Sequence, residues 1–490
     1  MKQDAYLGLD VGGTGAKAGV FDGQGRLLGF AQRPYHPQLT EESHIEIPIH
    51  TIYAAAREAT VSAIHESGVR VVALSICSQG QTFVSLNDHD EPLYPAIVWY
   101  DGRASEQAKR LTQSLQSSNL HEAMPYVTAI ATGPKVMWLH EHFPALMAQA
   151  KRYLLLPDYL TYRLTGRAVT DPCTASSTAL YAEDARDYCA AALAAAGIRK
   201  SELAEIQKCG QPIARVVQES AEQWGLDPET LVVTGTNDQY SGALGAGNCR
   251  PGIVSVTTGT ALSLVTLTER LPQPMPPGLL GGRFPIPRYQ FALAFSKTAG
   301  VVLEWFNREL SPGQSLRELD EMASRVPIGS RGVVMLPHFD GMISPVRDPD
   351  ARGGFLNLSL HHTRVEMYRA TMEGLGYNLY ENFELFRRCG FPIEVVRSIG
   401  GGAKSDFWSQ MIADITGLPI ERPVFAEAGV VGAAMIAAVG SGAFSSLEEC
   451  SEALYKRERI FSPDPENHAL YEKLCRNYIG LSRHVYHHQE

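Results

Sequence analysis

The sequence predicts an α/β protein built from two related halves, and two observations carry that expectation. Short apolar strands alternate with helical stretches along the chain. A glycine–threonine hairpin near the start also recurs at half the chain length. Gly13-Thr14 and Gly259-Thr260 lie 246 positions apart in a chain of 490 residues, the spacing expected of a duplicated domain. The implied division is 1–245 and 246–490.

The elements follow in order. Residues 6–10 read as a strand, Gly12-Gly13-Thr14-Gly15 as a turn and 18–21 as a second strand. Asp22-Gly23-Gln24-Gly25 is a hairpin signal, and 26–30 a third strand. Residues 51–67 carry helical periodicity. Residues 71–77 form a buried strand running into Ser78-Gln79-Gly80-Gln81, and 231–234 a strand running into Gly235-Thr236-Asn237-Asp238. The second half repeats the opening: strand 253–256, turn Thr257-Thr258-Gly259-Thr260, strand 261–267. A Pro/Gly-rich excursion follows over 271–288. Then come a long amphipathic helix over 366–388, a strand over 394–399 ending in Gly400-Gly401-Gly402, and a helix over 407–416. The uncharged stretch 428–447 is too short and too rich in Gly and Ala for a membrane span, and reads as a tightly packed buried helix.

Composition narrows the function. Hydrophobic residues make up 44% and charged residues 20%, which allows a sizeable core without staples. The net charge of −10 argues against nucleic-acid and anionic-membrane partners, which require a basic patch. The eight cysteines include no CxxC pair, so neither a zinc site nor a disulfide framework is expected, and reduced thiols suit a cytoplasmic enzyme. The N-terminus lacks an apolar segment of signal-peptide length.

Polar and glycine residues gather where the apolar strands end, the place where open α/β sheets bind ligands. Asp10 precedes Gly12-Gly13-Thr14-Gly15-Ala16-Lys17. Glycines there let backbone N–H groups approach a phosphate, Thr14 and Lys17 add donors and charge, and a carboxylate beside phosphate oxygens suits Mg²⁺. The spacing is neither a Walker A loop nor GxGxxG, which argues against a dinucleotide-dependent ketose dehydrogenase. Thr258, Gly259 and Thr260 form a second candidate phosphate grip. Asp238 after a buried strand can accept a hydroxyl proton; its ordinary alternative is a helix-capping aspartate. Gly400-Gly401-Gly402-Ala403 permits close approach of a flat ligand such as a nucleoside. Gln79-Gly80-Gln81 with Trp99, Asp101 and Arg103 offers the directional partners that a polyhydroxylated ligand needs.

Together these segments resemble the FGGY carbohydrate kinases of the actin/hexokinase/heat-shock ATPase (ASKHA) superfamily, in order over nearly the whole chain. Residues 10–17 match the family's first phosphate loop, and 96–103 (Ala-Ile-Val-Trp-Tyr-Asp-Gly-Arg) are close to a segment of xylulose kinases. Residues 133–139, with Lys135 and Trp138, match its first pattern, and Leu155-Leu156-Pro157-Asp158 follows as in the family. Ala299-Gly300 before Glu304-Trp305, and 400–407, match its nucleotide segments, while 372–377 resemble its second pattern.

The resemblance implies an α/β fold of two actin-like (ribonuclease H-like) domains around a central cleft. The first would hold the sugar, the first phosphate loop and the catalytic Asp; the second would hold ATP. It implies γ-phosphoryl transfer from Mg·ATP to a hydroxyl of a small ketose. Asp238 would be the base, and Asp10 with Asp238 would act on Mg²⁺ through water. Gln79, Gly80, Gln81, Trp99, Asp101, Arg103, Asp238 and Gln239 would bind sugar. Gly12, Gly13, Thr14, Lys17, Thr258, Gly259, Thr260, Gly300, Glu304, Gly401, Gly402 and Ala403 would bind ATP. Gly80-Gln81 replaces the Arg-Glu pair of glycerol kinases and disfavours glycerol. Gln79-Gly80 is shared with L-xylulose kinases, and 99–103 favour D-xylulose. L-xylulose, ribulose and small polyols such as erythritol stay open, as do a homodimer and a non-catalytic actin-like ATPase that needs no sugar pocket.

Overall fold

The computed structural model describes residues 4–118, 127–259 and 261–486. The chain divides into two compact units. The first runs to Gly245 and also takes Gly429–Leu454; the second comprises Ala246–Ala428 and the chain from Tyr455 onward.

The first unit is built on a six-stranded sheet. Its strands are β1 (Ala5–Val11), β2 (Gly15–Asp22), β3 (Leu27–Pro34), β4 (Val71–Ser78), β5 (Pro212–Arg215) and β6 (Leu231–Val233), in the order β5-β6-β4-β1-β2-β3. β1, β2 and β3 form an antiparallel meander, β4 lies parallel to β1, and β6 lies parallel to β4. β1 is buried along almost its entire length, as a central strand covered on both faces must be. Helix α1 (Ile49–Ser67) covers one face with Ile52, Ala56, Ala59 and Ala63. It stops at Gly68, whose left-handed φ of 63° lets its N–H reach the Ile64 carbonyl. A second apolar cluster forms around a five-stranded sheet that includes Phe83–Leu86 and Arg152–Leu155, with helix α2 (Thr132–His142) supplying Val136, Met137 and Trp138. Helix α3 (Leu156–Thr165) and the short α4 (Asp238–Gly245) complete what the site needs.

The second unit repeats this topology. Its strands are β7 (Gly252–Thr258), β8 (Leu262–Thr268), β9 (Leu280–Arg283), β10 (Gln290–Ser296), β11 (Ile393–Ile399), β12 (Ile420–Pro423) and β13 (Arg457–Phe461). They run in the order β9-β10-β8-β7-β11-β12-β13. β7, β8 and β10 form the meander, β11 lies parallel to β7, and β12 parallel to β11. The hairpin repeat read from the sequence is therefore a repeat of the whole sheet core. The Pro/Gly-rich excursion supplies β9, an added edge strand paired with β10. Helices α5 (Gly300–Leu310), α6 (Leu316–Ala323), α7 (Arg364–Arg388) and α8 (Asp406–Thr416) pack on this sheet. α7 opens with a Thr363–Glu366 capping box.

One segment from beyond residue 245 packs outside its own half. Helix α9 (Ala428–Gly440) and the residues to Leu454 pack with the first unit although they belong to the second half of the sequence. Glycines make that packing possible. A Cβ at Gly8 would stand 1.9 Å from the Val430 carbonyl oxygen, and one at Gly432 would stand 1.9 Å from that of Ser241. The Gly/Ala-rich stretch is thus the tightly packed helix expected, and among the described residues no helix is long and apolar enough to cross a membrane. All eight cysteines lie among the described residues, and none of them is in a disulfide.

Candidate active site

In the first unit the ends of β1, β4 and β6 converge. The Ser78 hydroxyl donates to the Val11 carbonyl at 2.8 Å and the Gln79 N–H to the same oxygen at 3.3 Å. Ser78 also bridges to Asn237 just beyond β6. Three strand ends therefore set the glycine turn, the Gln79 segment and the Asp238 segment side by side.

Three of the four carbonyls of the turn 12–15 are occupied. Gly12 N–H donates to Gly15 O at 3.0 Å, Tyr35 N–H donates to Thr14 O at 3.0 Å, and the Tyr35 hydroxyl donates to Gly12 O. Sequence reading missed Tyr35, which lies some twenty residues from the motif it clamps. With those acceptors satisfied, the turn is left with N–H donors to offer an anion. Gly13 faces the Gln79 and Trp99 segments: a Cβ there would stand in ordinary contact, 3.4 Å from Gln79 Oε1 and 3.8 Å from Trp99 Nε1. Thr14 is exposed and Lys17 half-buried, and Lys17 faces Asp10 across the β1–β2 ladder.

Asp10 and Asp238 form an electrostatically coupled pair. Asp10 is the last residue but one of β1, and its carboxylate lies so close to α9 that a Cβ at Gly429 would fall 2.5 Å from its Oδ2. Asp238 is the first residue of α4, but the cap belongs to its neighbour. Asn237 Oδ1 accepts from Gln239 N–H at 3.0 Å, and its carbonyl accepts from Ser241 N–H at 3.0 Å. Asp238 is therefore not spent on capping. Burial, and then the Asp10 charge, push its carboxyl up to about 7 against weaker backbone hydrogen bonds, which suits a general base working near neutrality. Behind the loop, Thr236 Oγ1 donates to the buried Asp171 at 3.0 Å, and Asp171 caps the turn Pro172–Ala175.

The expected sugar residues separate into two groups. Gln79 is buried, and its Oε1 has no hydrogen-bond partner among the described residues. A Cβ at Gly80 would meet Asn237 Nδ2 and Ser177 Oγ, each at 2.9 Å, so this glycine keeps two polar groups close that sequence reading did not select. Gln81 sits in the left-handed region at φ 61° and its carbonyl accepts from Thr132. Gln239 stands on the first turn of α4 next to Asp238. Asp101 and Arg103, however, are not free for a ligand. The Asp101 carboxylate takes hydrogen bonds from Ile45 N–H (2.6 Å), Arg103 N–H (3.0 Å), Arg103 Nε (2.8 Å) and Nη2 (2.8 Å). Arg103 reaches Glu46 as well and its side chain is 0% exposed. Desolvation opposes the Asp101 charge, yet these bonds hold its carboxyl below the usual range. Both residues brace the loop that carries Trp99, and their expected role as direct sugar ligands is corrected accordingly. Lys135 does the same from α2: fully buried, it donates to the carbonyls of Val98 (2.8 Å) and Trp99 (3.1 Å), and burial lowers its ammonium to about 7.

In the second unit a cavity of about 800 Å³ opens at the ends of β7 and β11. Thr258, Gly259, Gly300, Glu304, Gly401 and Gly402 all line it. Gly300 N–H donates to Gly259 O at 2.8 Å, and a Cβ at Gly402 would crowd Thr258 at 2.8 Å, so the second hairpin and the triple-glycine turn touch. Ala403 is the exception: it is 1% exposed and sits inside the turn Gly402–Lys404, with its carbonyl taken by Arg422. It backs the wall and does not line it. Thr260 lies outside the described residues. Asp320, which also lines the cavity, accepts from Ser405 Oγ (2.6 Å) and the Tyr368 hydroxyl (2.9 Å); burial raises its carboxyl against those two bonds.

Among the described residues no group of three or more His, Cys, Asp or Glu is placed to hold a metal ion. The coupled Asp10–Asp238 pair instead fits the habit of Mg²⁺, which takes one or two carboxylates and completes its shell with phosphate oxygens and water.

Two duplicated α/β units, one with a carboxylate pair beside a glycine hairpin and the other with a glycine-walled cavity, define a two-domain actin-like phosphotransferase. The comparisons agree. The models of the FGGY family of carbohydrate kinases match residues 5–245 (N-terminal domain) and 254–441 (C-terminal domain). The chain is 28% identical over 484 residues to the xylulose kinase of Bacillus subtilis (strain 168), covering 98% of this chain and 97% of that one. It is 30% identical over 498 residues to the autoinducer-2 kinase of Escherichia coli (strain K12), covering 95% and 92%. Among solved structures, xylulose kinase from Rhodospirillum rubrum superposes with a TM-score of 0.86 at 26% identity, covering 99% and 100%. The ligand-bound xylulose kinase from Lactobacillus acidophilus gives 0.89 at 24% identity, covering 98% of each chain. The chain belongs to the FGGY family of carbohydrate kinases. It is an ATP-using phosphotransferase with an alcohol group as acceptor, and the reading as a non-catalytic ATPase falls.

Proposed function

We propose that this sugar kinase transfers the γ-phosphoryl group of Mg·ATP to a hydroxyl of a small ketose, D-xylulose first. The observation that carries the reading is Asp238: next to Asp10, freed from capping by Asn237, and with a carboxyl at about 7. The hydroxyl oxygen attacks the γ-phosphorus, and the bond to the β–γ bridging oxygen breaks to leave ADP. The hydroxyl proton passes to Asp238. Mg²⁺, held by Asp10 with Asp238, would neutralise charge on the phosphates. The Gly13 turn offers N–H donors to phosphate, while Gln79 and Trp99 orient the sugar in the first unit. Thr258, Gly259, Gly300, Glu304, Gly401 and Gly402 receive the nucleotide in the second.

The xylulose kinase relatives and residues 99–103 favour D-xylulose. Gln79-Gly80 keeps L-xylulose open, with ribulose and erythritol behind it. Asp238→Asn is the decisive variant. Loss of a general base costs on the order of 10²–10⁴ in rate, so kcat should fall by about 10³ while ATP binding, read by calorimetry, stays within a few-fold. Turnover close to wild type would remove Asp238 from its role. A coupled-assay panel of pentuloses, polyols, gluconate and autoinducer-2 then ranks the acceptors by kcat/KM, and a top rank for anything but D-xylulose overturns the substrate named here.

A further inference from the structure

The nucleotide cavity contains a wall whose polarity is fixed by its own hydrogen bonds. Asp320 accepts from two hydroxyls, Ser405 Oγ at 2.6 Å and Tyr368 at 2.9 Å. Each hydroxyl has one proton, and each donates it to the carboxylate. Ser405 also accepts from Trp408 N–H at 3.1 Å as the cap of α8. What these three residues have left to offer is lone pairs: two on Asp320, one on Ser405 and those of the Tyr368 oxygen. All three line the cavity. Trp408 lines it too, is 3% exposed, and its Nε1–H has no acceptor among the described residues.

We propose that Asp320, with Ser405 and Tyr368, forms an acceptor-only recognition face that selects a purine bearing an exocyclic 6-amino group. The proposal rests on the assignment of this cavity to the nucleotide. A 6-amino group is a donor, and the neighbouring N1 of adenine is an acceptor of the kind that the Trp408 N–H lacks. Hypoxanthine reverses both features: its 6-oxo oxygen faces lone pairs and its N1 carries a proton. A buried acceptor face left opposite another acceptor pays a desolvation cost with no return.

The test compares ATP with ITP, which differ at that edge alone. One charge-assisted hydrogen bond corresponds to about tenfold to a hundredfold in an equilibrium constant, so wild-type kcat/KM should favour ATP over ITP by that factor. Asp320→Asn supplies the sharper arm. Its amide accepts through Oδ1 but donates through Nδ2, so one of the two hydroxyls must turn its proton into the cavity. The ATP preference should then collapse to within a few-fold or invert, with ITP gaining in absolute terms. A gain for ITP is a readout that mere destabilisation does not produce. A wild-type enzyme that uses ITP or GTP as well as ATP overturns the proposal, as does an Asp320→Asn variant that keeps the full ATP preference. Should that variant fail to fold, the wild-type panel alone decides. A distinct result, ATP affinity unmoved by filling the cavity with Gly401→Glu, would overturn the nucleotide assignment itself.

Discussion

At the scale of residues, the site rests on side chains whose jobs are not evident from their type. Arg103 looked like a sugar ligand because guanidinium groups bind hydroxyls. In the fold it is fully buried, shared between Asp101 and Glu46, with its guanidinium 4.8 Å from the centre of the Trp138 ring. Removing it would strand two carboxylates, a change worth about 3–5 kcal/mol when a buried pair is broken. Arg103→Ala should therefore lower the thermal unfolding midpoint of the first unit sharply. The KM for sugar, measured on whatever folded protein remains at low temperature, should change far less than it would for a lost direct ligand. The opposite pattern, an unchanged midpoint with a large rise in sugar KM, would restore Arg103 as a ligand. Asp10, Gly13, Gln79 and Asp238 could be singled out from the sequence because chemistry demands carboxylates, glycines and amides at strand ends. Tyr35, Ser177 and Gly429 could not, because each acts through a neighbour distant in sequence: Gly12 O, Gly80 and Asp10.

At the scale of elements, periodicity located the strands and long helices, and the ends moved by a few residues where caps and sheet ladders decide. β2, expected to begin after the turn, starts at Gly15 because Gly15 already pairs with Pro34 in the ladder. Helix α9, in the second half of the sequence, was legible as buried but not as to where it packs. Glycines 429 and 432 signal a close neighbour without naming it. Helix α7 shows a different element-level effect. Its buried face carries Asn378 and Asn382 with Glu381 alongside, near Tyr478. Burial raises the Glu381 carboxyl to about 7, and Arg483 and Arg388 only partly offset this. A carboxyl raised in the folded state holds its proton more tightly there than in the unfolded chain. It contributes stability below about 4.5, and that contribution is lost as pH rises to about 7. Glu381→Gln removes this dependence. The variant should match wild type near pH 4.5 and exceed it above pH 7 by up to about 3 kcal/mol, the equivalent of the shift. Denaturation of both proteins across that range checks it, and a constant difference at every pH would count against the burial account.

At the scale of the whole molecule, one sheet core occurs twice, and each copy has kept a hairpin while acquiring different chemistry. The first copy gained Asp10 near the end of β1 and Asp238 beyond β6; the second gained a triple-glycine turn after β11 and a cavity. The duplication was legible because a glycine–threonine turn survives in both copies. The cavity was not, since its acceptor wall is assembled from α6, α7 and the cap of α8, which no spacing in the sequence connects. If the copies divide the substrates, their affinities should be separable by mutation. Gly401 lines the cavity with no atom within 4 Å of where a Cβ would stand, and its φ of −61° suits any residue. Glu at 401 therefore adds bulk and a negative charge where the nucleotide is expected, without backbone strain. The KM for ATP should rise by about tenfold or more, since repulsion of a polyanion at close range in a partly enclosed site amounts to at least ~1.4 kcal/mol. The KM for sugar should stay within about twofold. Gln79→Ala should produce the mirror image, raising the KM for sugar and sparing that for ATP. Initial-rate measurements with each substrate varied at saturation of the other distinguish these cases. Equal changes in both constants for either variant would mean that the two sheet copies do not divide the substrates between them.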